Sequence, residues 1–377
     1  MDMMSLRRRV MVNQNKLMTA TGNPITFNTP LTKPLKECVV RFTPQQEGSG
    51  TPSPDNVREI SGRSSVKLWQ SGKNLFDKAS AKMGRYESVD GVWTFVENPT
   101  WYTSDLIRVK PNTRYSVFGG TPLASIGAYI NVYDENMARV TYTTYLSYIT
   151  TTANAKYLSV HSAGTGLFYK NRDTVMICEG SDVPSEYEPY TGNEITFTFP
   201  STVGDNGVVY GGYLDAEKGE VVAEYYTFTL DGTNNKLDSG GTINNYNECE
   251  AFSYFGRRTL SNIPSGRGTS YAQLYSNILP TVERSKGKGE VVQADNLVQY
   301  IRVQLYAETI GVTSGATSTE VIDAINTWLT AHPMQVCYPL RDPVHYSLTP
   351  QSIATLKGSN TMWSDANGDL TVKYWTR

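Results

Sequence analysis

The sequence is poor in charge, in histidine and in helix-forming stretches. Lysine, arginine, aspartate and glutamate make up 19% of it, below the roughly 25% usual for soluble chains. Its 34 basic and 36 acidic residues leave a formal net charge of -2, so no global field draws the chain toward nucleic acid or anionic lipid. The four cysteines, Cys38, Cys178, Cys249 and Cys337, stand far apart and form no CxxC pair, which excludes zinc-ribbon and thioredoxin-type motifs. Each sits in or near an apolar stretch and is expected to be a buried free thiol. The three histidines, His161, His332 and His345, are equally scattered. With no HExxH and no GxSxG, hydrolysis by metal or by an activated serine lacks its usual motifs. No run approaches the roughly 18 apolar residues of a membrane span, and no apolar stretch near the N-terminus suits a signal peptide.

What is abundant is tyrosine: 25 Tyr against 11 Phe and 6 Trp, with 31 Gly and 18 Pro. Aromatic and Thr-rich runs punctuated by Gly, Pro and Asn are the composition of β architecture. Period-two alternation supports it. Ile130 and Val132 fall on one side of AYINVY, with Tyr129, Asn131 and Tyr133 on the other. Leu158 and Val160 in KYLSVHS, Val175 and Ile177 in TVMICEG, and Ile195, Phe197 and Phe199 in EITFTFP behave likewise. Hairpin turns are expected at 216–219 and at Asn367-Gly368. Two short helices are expected near the C-terminal end. One spans 318–332 with Ser318 as N-cap, and one spans 349–358 with Pro350 at its first position and Gly358 at its stop.

One phrase occurs twice. TGNPITF starts at Thr21 and TGNEITF at Thr191. The copies flank the stretch richest in sandwich-like alternation. The expected organisation is a jelly-roll or β-sandwich domain, residues 73–190, inserted into a second β-rich domain made of 23–72 plus 191–377, with residues 1–22 as an N-terminal arm. In that arm Leu6 and Val10 flank Arg7, Arg8 and Arg9, a pattern suited to docking on a neighbouring protein.

Aromatic residues of the insert are the candidate binding groups. Sugars offer C–H faces to rings and hydroxyls to polar side chains at the rim. Tyr129, Asn131 and Tyr133 form one patch, and Trp93, Trp101 and Tyr102 another. Tyr142, Tyr145 and Tyr148 recur every third residue, which is not a strand period, so that stretch is expected as a loop bearing an aromatic platform. No catalytic set, metal site or cofactor site is expected. Acids such as Asp134, Glu135, Glu186 and Glu188 sit on turns as in any β protein. The Asp365, Asn367, Asp369 spacing lacks the bidentate Glu of a calcium loop.

Several strings resemble structural proteins encoded by phages and prophages of gut Firmicutes, commonly described as tail, minor structural or head-fibre proteins. They are SLRRR, KPLKECVVRFTPQQEGSGTPSPDNVREISG, GKNLFD, VMICEGSDVPSEYEPYTG, VYGGYLDAEKGEV and YSLTPQSIATLKGSNTMWSDANGDLTVKY. The segment from NLFD to YEPY is similar to carbohydrate-binding-module jelly rolls. The resemblance implies a non-enzymatic virion part, made in host cytoplasm and released on the particle. Its partners would be other virion proteins, further copies of itself, most simply as a trimer, and bacterial surface glycan, without nucleic acid or membrane. A purely architectural head fibre and a glycan-degrading enzyme are the alternatives. The enzyme would need two facing carboxylates in a cleft.

Overall fold

The computed structural model describes residues 15–21, 25–26, 35–204, 207–242, 253–259, 274–281, 289–295, 300–349 and 361–375. The arm residues Leu6, Arg7, Arg8, Arg9 and Val10, the helix expected beyond Thr349, and Cys249 lie outside these. Among the described residues strand takes 51% and helix 8%, so the architecture is mainly β.

A β-sandwich occupies the middle of the sequence. Its larger sheet has the order Arg139–Leu146, Ala128–Tyr133, Tyr157–Ala163, Val92–Thr103, Lys82–Val89, with Ile107–Arg108 also pairing Tyr157–Ala163. Its smaller sheet centres on Arg114–Gly119, flanked by Ala124–Ser125 and Tyr148–Thr150 on one side and Met176–Glu179 on the other. The alternation read from the sequence sets the faces. Ile130, Val132, Leu158, Val160, Tyr115, Val117, Val175 and Ile177 meet between the sheets around Phe168, and this cluster draws only on residues 76 to 177.

The stretch expected as a tyrosine loop is strand: Arg139–Leu146 in the large sheet, then Tyr148–Thr150 in the small one. A bulge hides the strand period. Ala128 pairs with Leu146 but Ile130 with Thr143, so Thr144 and Tyr145 share one opposing position, and Tyr145 adopts a φ of 57°. Such a bulge bends the strand and re-aims a side chain. Beyond it, at Ser147, the chain crosses to the other sheet.

The sandwich is inserted into a second β-rich body. A seven-stranded sheet runs Asn15–Thr21, Asp369–Trp375, Glu37–Phe42, Gly211–Asp215, Glu220–Leu230, Met334–Ser347, Tyr275–Ser276. It packs on a four-stranded sheet ordered Asn193–Thr198, Ser65–Ser71, Thr361–Ser364, Ile25–Thr26. The two copies of the repeated phrase are the outer strands of that smaller sheet. Ile195 pairs with Leu68, Ile25 with Met362, and Trp69 faces Trp363 across the central pair. These registers define a local twofold axis between Trp69 and Trp363, which relates Leu68 to Met362 and Ile195 to Ile25. All four apolar residues are buried in one core. The repeat therefore does the same job at both edges of one sheet.

The rest of the second body has a further core. The far halves of Glu220–Leu230 and Met334–Ser347 pack with Ile301, Val303, Leu305, Val321, Ile325 and Leu329. Helix Ser318–Ala331 lies there on strands Ser239–Thr242 and Ser253–Thr259. Its N-cap is Thr317, one residue before the Ser318 expected. Thr317 Oγ1 accepts from Glu320 N at 3.3 Å and Glu320 Oε2 accepts from Thr317 N at 2.8 Å. That reciprocal box satisfies two backbone donors, which a serine cap at 318 facing Val321 would not. The hairpin expected at 216–219 is present, between Gly211–Asp215 and Glu220–Leu230, but the one expected at Asn367-Gly368 is not. Thr361–Ser364 pairs in the four-stranded sheet and Asp369–Trp375 in the seven-stranded one, so the turn carries the chain from one sheet to the other. The loop 47–59 is ordered around one guanidinium, since Arg58 donates to the carbonyls of Glu47, Gly48 and Gly50 at 2.9, 3.0 and 2.7 Å. Gly48 and Gly50, at φ of 71° and 82°, let the backbone turn inward to meet it. Cys38, Cys178 and Cys337 are buried free thiols.

The two ends of the insert are joined at Asn74, which is 1% exposed. Its Oδ1 accepts from Phe76 N at 2.9 Å and Ile177 N at 3.1 Å. Its Nδ2 donates to Val175 O at 3.1 Å and Glu188 O at 3.0 Å. One side chain thus ties the entering strand to the leaving one. Outside it, Gly72 N donates to Thr191 O at 3.0 Å, and Asn193 pairs with Gln70. Asn74→Ala leaves these buried backbone groups without partners, at about 1–3 kcal/mol each. The expected outcome is a loss of at least about 3 kcal/mol, read as a lower thermal midpoint for the sandwich. Residues 73–190 expressed alone should melt in one cooperative transition by circular dichroism; a gradual, non-cooperative melt would show that the sandwich depends on the second body.

Candidate functional site

The outer face of the large sandwich sheet carries the residues that alternation turned away from the core. Tyr129 stands opposite His161, Asn131 opposite Ser159 and Tyr133 opposite Tyr157. On the next strand Thr103 stands opposite His161 and Trp101 opposite Ala163. Cross-strand neighbours on one face meet at side-chain distance, so the rings form a contiguous cluster. Tyr129 stacks on His161 with ring centroids 5.3 Å apart and 10° between planes. Trp101 meets both edge-on, at 5.3 Å from Tyr129 and 5.5 Å from His161. The bulge swings Tyr145 over Tyr129 at 4.7 Å and leaves it 73% exposed. Arg85 lies 5.3 Å over the Trp101 ring.

A second group adjoins it. Arg139 lies 4.1 Å over Trp93 and 4.3 Å over Tyr142, which is 57% exposed. Face contacts between guanidinium and aromatic rings are favourable and hold both groups in place. Exposed rings fixed by neighbouring rings and cations suit a ligand with apolar faces and polar edges.

Four of the nine candidates read from the sequence do not belong to this surface. Tyr133 points to the outer side but is 0% exposed, because Tyr86 and Trp93 of the long hairpin 82–103 fold over it and Ser159 Oγ lies 3.2 Å from its hydroxyl. Burial pushes that hydroxyl's pKa up, against the hydrogen bonds from Ser159 and Asn131. Asn131 is 4% exposed, with Arg139 Nη1 3.5 Å from its Oδ1. Tyr102 turns into the core against Phe168 and Tyr169. Tyr148 is exposed but on the small sheet, with Arg114 3.8 Å over its ring, on the opposite side of the sandwich. Trp93, Trp101, Tyr129, Tyr142 and Tyr145 remain. His161, Arg85 and Arg139 complete the face. Of these, only His161 had a signal in the sequence, by alternating with Leu158 and Val160.

Among the described residues no group of three or more His, Cys, Asp and Glu is placed to hold a metal ion. His161 is 7% exposed, and its Nδ1 has no hydrogen-bond partner. Burial, with Arg85 and Arg139 adding repulsion, lowers its pKa from 6.5 to about 4. The folded protein therefore holds a neutral imidazole under the aromatic cluster.

The sign of the pH dependence follows. Above pH 6.5 the ring is neutral in both states and stability is full. As pH falls from 6.5 toward about 4, the unfolded chain takes up a proton that the folded chain refuses, and roughly 3 kcal/mol is lost. Denaturant melts at pH 7 and 4.5 should show this loss, and His161→Gln should flatten it over that window. No protein-family model matches the chain, and no curated protein matches it either.

Proposed function

We propose that the chain is a non-enzymatic structural part of a bacteriophage particle, a fibre or receptor-binding component whose inserted sandwich attaches to glycans of the host surface. The observation that carries the binding half is the outer face on which Trp101, Tyr129 and Tyr145 pack around His161 beside Arg85. Rings held in place lose little entropy when a sugar stacks on them, and the flanking guanidinium offers donors to its hydroxyls. The second body, with two cores of its own, is suited to subunit contacts. The resemblance read from the sequence supports the virion half. In this reading the arm around Leu6, Arg7, Arg8, Arg9 and Val10 docks on neighbouring virion proteins. Closed symmetry, most simply a trimer, multiplies a weak single site into useful avidity.

A glycan array probed with the purified chain tests the binding half. Binding to at least one bacterial surface glycan is expected. Tyr145→Ala, Tyr129→Ala and Trp101→Ala should each weaken it about tenfold, equivalent to about 1.4 kcal/mol. If no glycan binds while the protein is folded, the architectural alternative, a fibre without sugar contact, takes its place.

A further inference from the structure

A second site lies where the sandwich meets the four-stranded sheet. The strands of that sheet alternate, so the burial of Leu68 and Met362 sends Trp69 and Trp363 to its other face. There they line a cleft of about 540 Å³ with Tyr190, Asp77, Asp105 and Arg108. Small-molecule sites commonly enclose about 300–1,000 Å³ with a few convergent polar groups.

The groups of this cleft divide into those already engaged and those left open. Trp69 is engaged: its Nε1 donates to Glu194 Oε2 at 2.6 Å, and Arg108 of the sandwich covers its ring at 3.7 Å. Glu194 is engaged a second time by Lys67 at 2.9 Å. Asp77 accepts only from the backbone N of Ala79, at 2.9 Å. Asp105 is exposed, and among the described residues neither of these aspartates has an ion-pair partner. Ser71 Oγ, buried in the cleft wall, has no hydrogen-bond partner. Three carboxylates, those of Asp77, Asp105 and Glu194, line the cleft against one guanidinium. The excess is negative, and it sits beside an indole and a phenol.

We infer that this junction cleft is a binding site for a saccharide carrying protonated amino groups. Carboxylates without partners favour an ammonium group. The ring faces of Trp363 and Tyr190 favour the C–H face of a sugar, and they attract a cation as well. A linear polyamine would satisfy the charge but not the rings; an N-acetylated sugar would satisfy the rings but not the charge. The site shares no residue with the outer aromatic face, so it does not depend on that face binding anything.

Calorimetric titration of the full chain tests this with three probes: the glucosamine trisaccharide, its fully N-acetylated form, and spermidine. The glucosamine trisaccharide is expected to bind and to change tryptophan fluorescence. The acetylated form and spermidine should each bind at least about tenfold more weakly. The double variant Asp77→Asn, Asp105→Asn, which changes charge but little else, should lose at least about tenfold in affinity, while Tyr145→Ala should leave it unchanged. Equal binding of the acetylated trisaccharide or of spermidine, undiminished binding to the double variant, or no binding of any probe would overturn the proposal. A change with Tyr145→Ala would place the ligand on the outer face instead.

Discussion

Four hydrogen bonds to one asparagine hold the molecule's architecture together. An insertion is workable only if its two ends can be brought side by side at little cost, because the host strands on either side of it are already neighbours. Residues 65–70 and Asn193–Thr198 pair residue for residue, so the insert must leave and return at one point. Asn74 meets that demand by bonding the first residues of the insert to its last strand and to Glu188. Buried amides with all their capacity used are rigid, and they specify one geometry. The GKNLFD and SEYEPY strings sit where they do because they are the two halves of this clasp.

The clasp also fixes the relation of the sandwich to the sheet beneath it. Arg108 reaches from the sandwich onto Trp69, and Glu194 takes the indole N–H from the other side. Trp69 and Trp363 lie at the local twofold axis of the four-stranded sheet, whose outer strands are the two copies of the repeated phrase. The repetition noticed in the sequence is thus a property of one sheet. Each copy supplies an edge strand with an isoleucine for the same core, and the strand that follows each copy, Glu37–Phe42 or Gly211–Asp215, pairs with the other in the opposing sheet.

The mainly β class and the inward faces were legible, because alternation is local and each of these strands buries one side. The contents of the binding face were legible only in part. Alternation sends Tyr129, Asn131 and Tyr133 to the same side, but it does not reveal that the hairpin 82–103 folds over Tyr133 and leaves Tyr129 open. The spacing of Tyr142, Tyr145 and Tyr148 looked like a loop because a bulge and a change of sheet interrupt the strand period. Arg139 and Arg85 gave no signal, since their contacts join residues brought together only by tertiary pairing. The second core of the larger body was legible in part. Alternation turns Ile301, Val303 and Leu305 inward, and helical spacing gathers Val321, Ile325 and Leu329, whereas strands Ser239–Thr242 and Ser253–Thr259 come from polar, glycine-rich sequence with little pattern.

The buried cysteines have a consequence for the redox conditions the fold tolerates. Burial pushes the Cys38 and Cys178 thiols up to about 12 and raises that of Cys337 further. Only the thiolate attacks a disulfide or an oxidant. At neutral pH these three sulfurs are protonated and shielded, so air and oxidising media have little to react with. A change from reducing to oxidising surroundings therefore leaves these three positions without stray cross-links between copies.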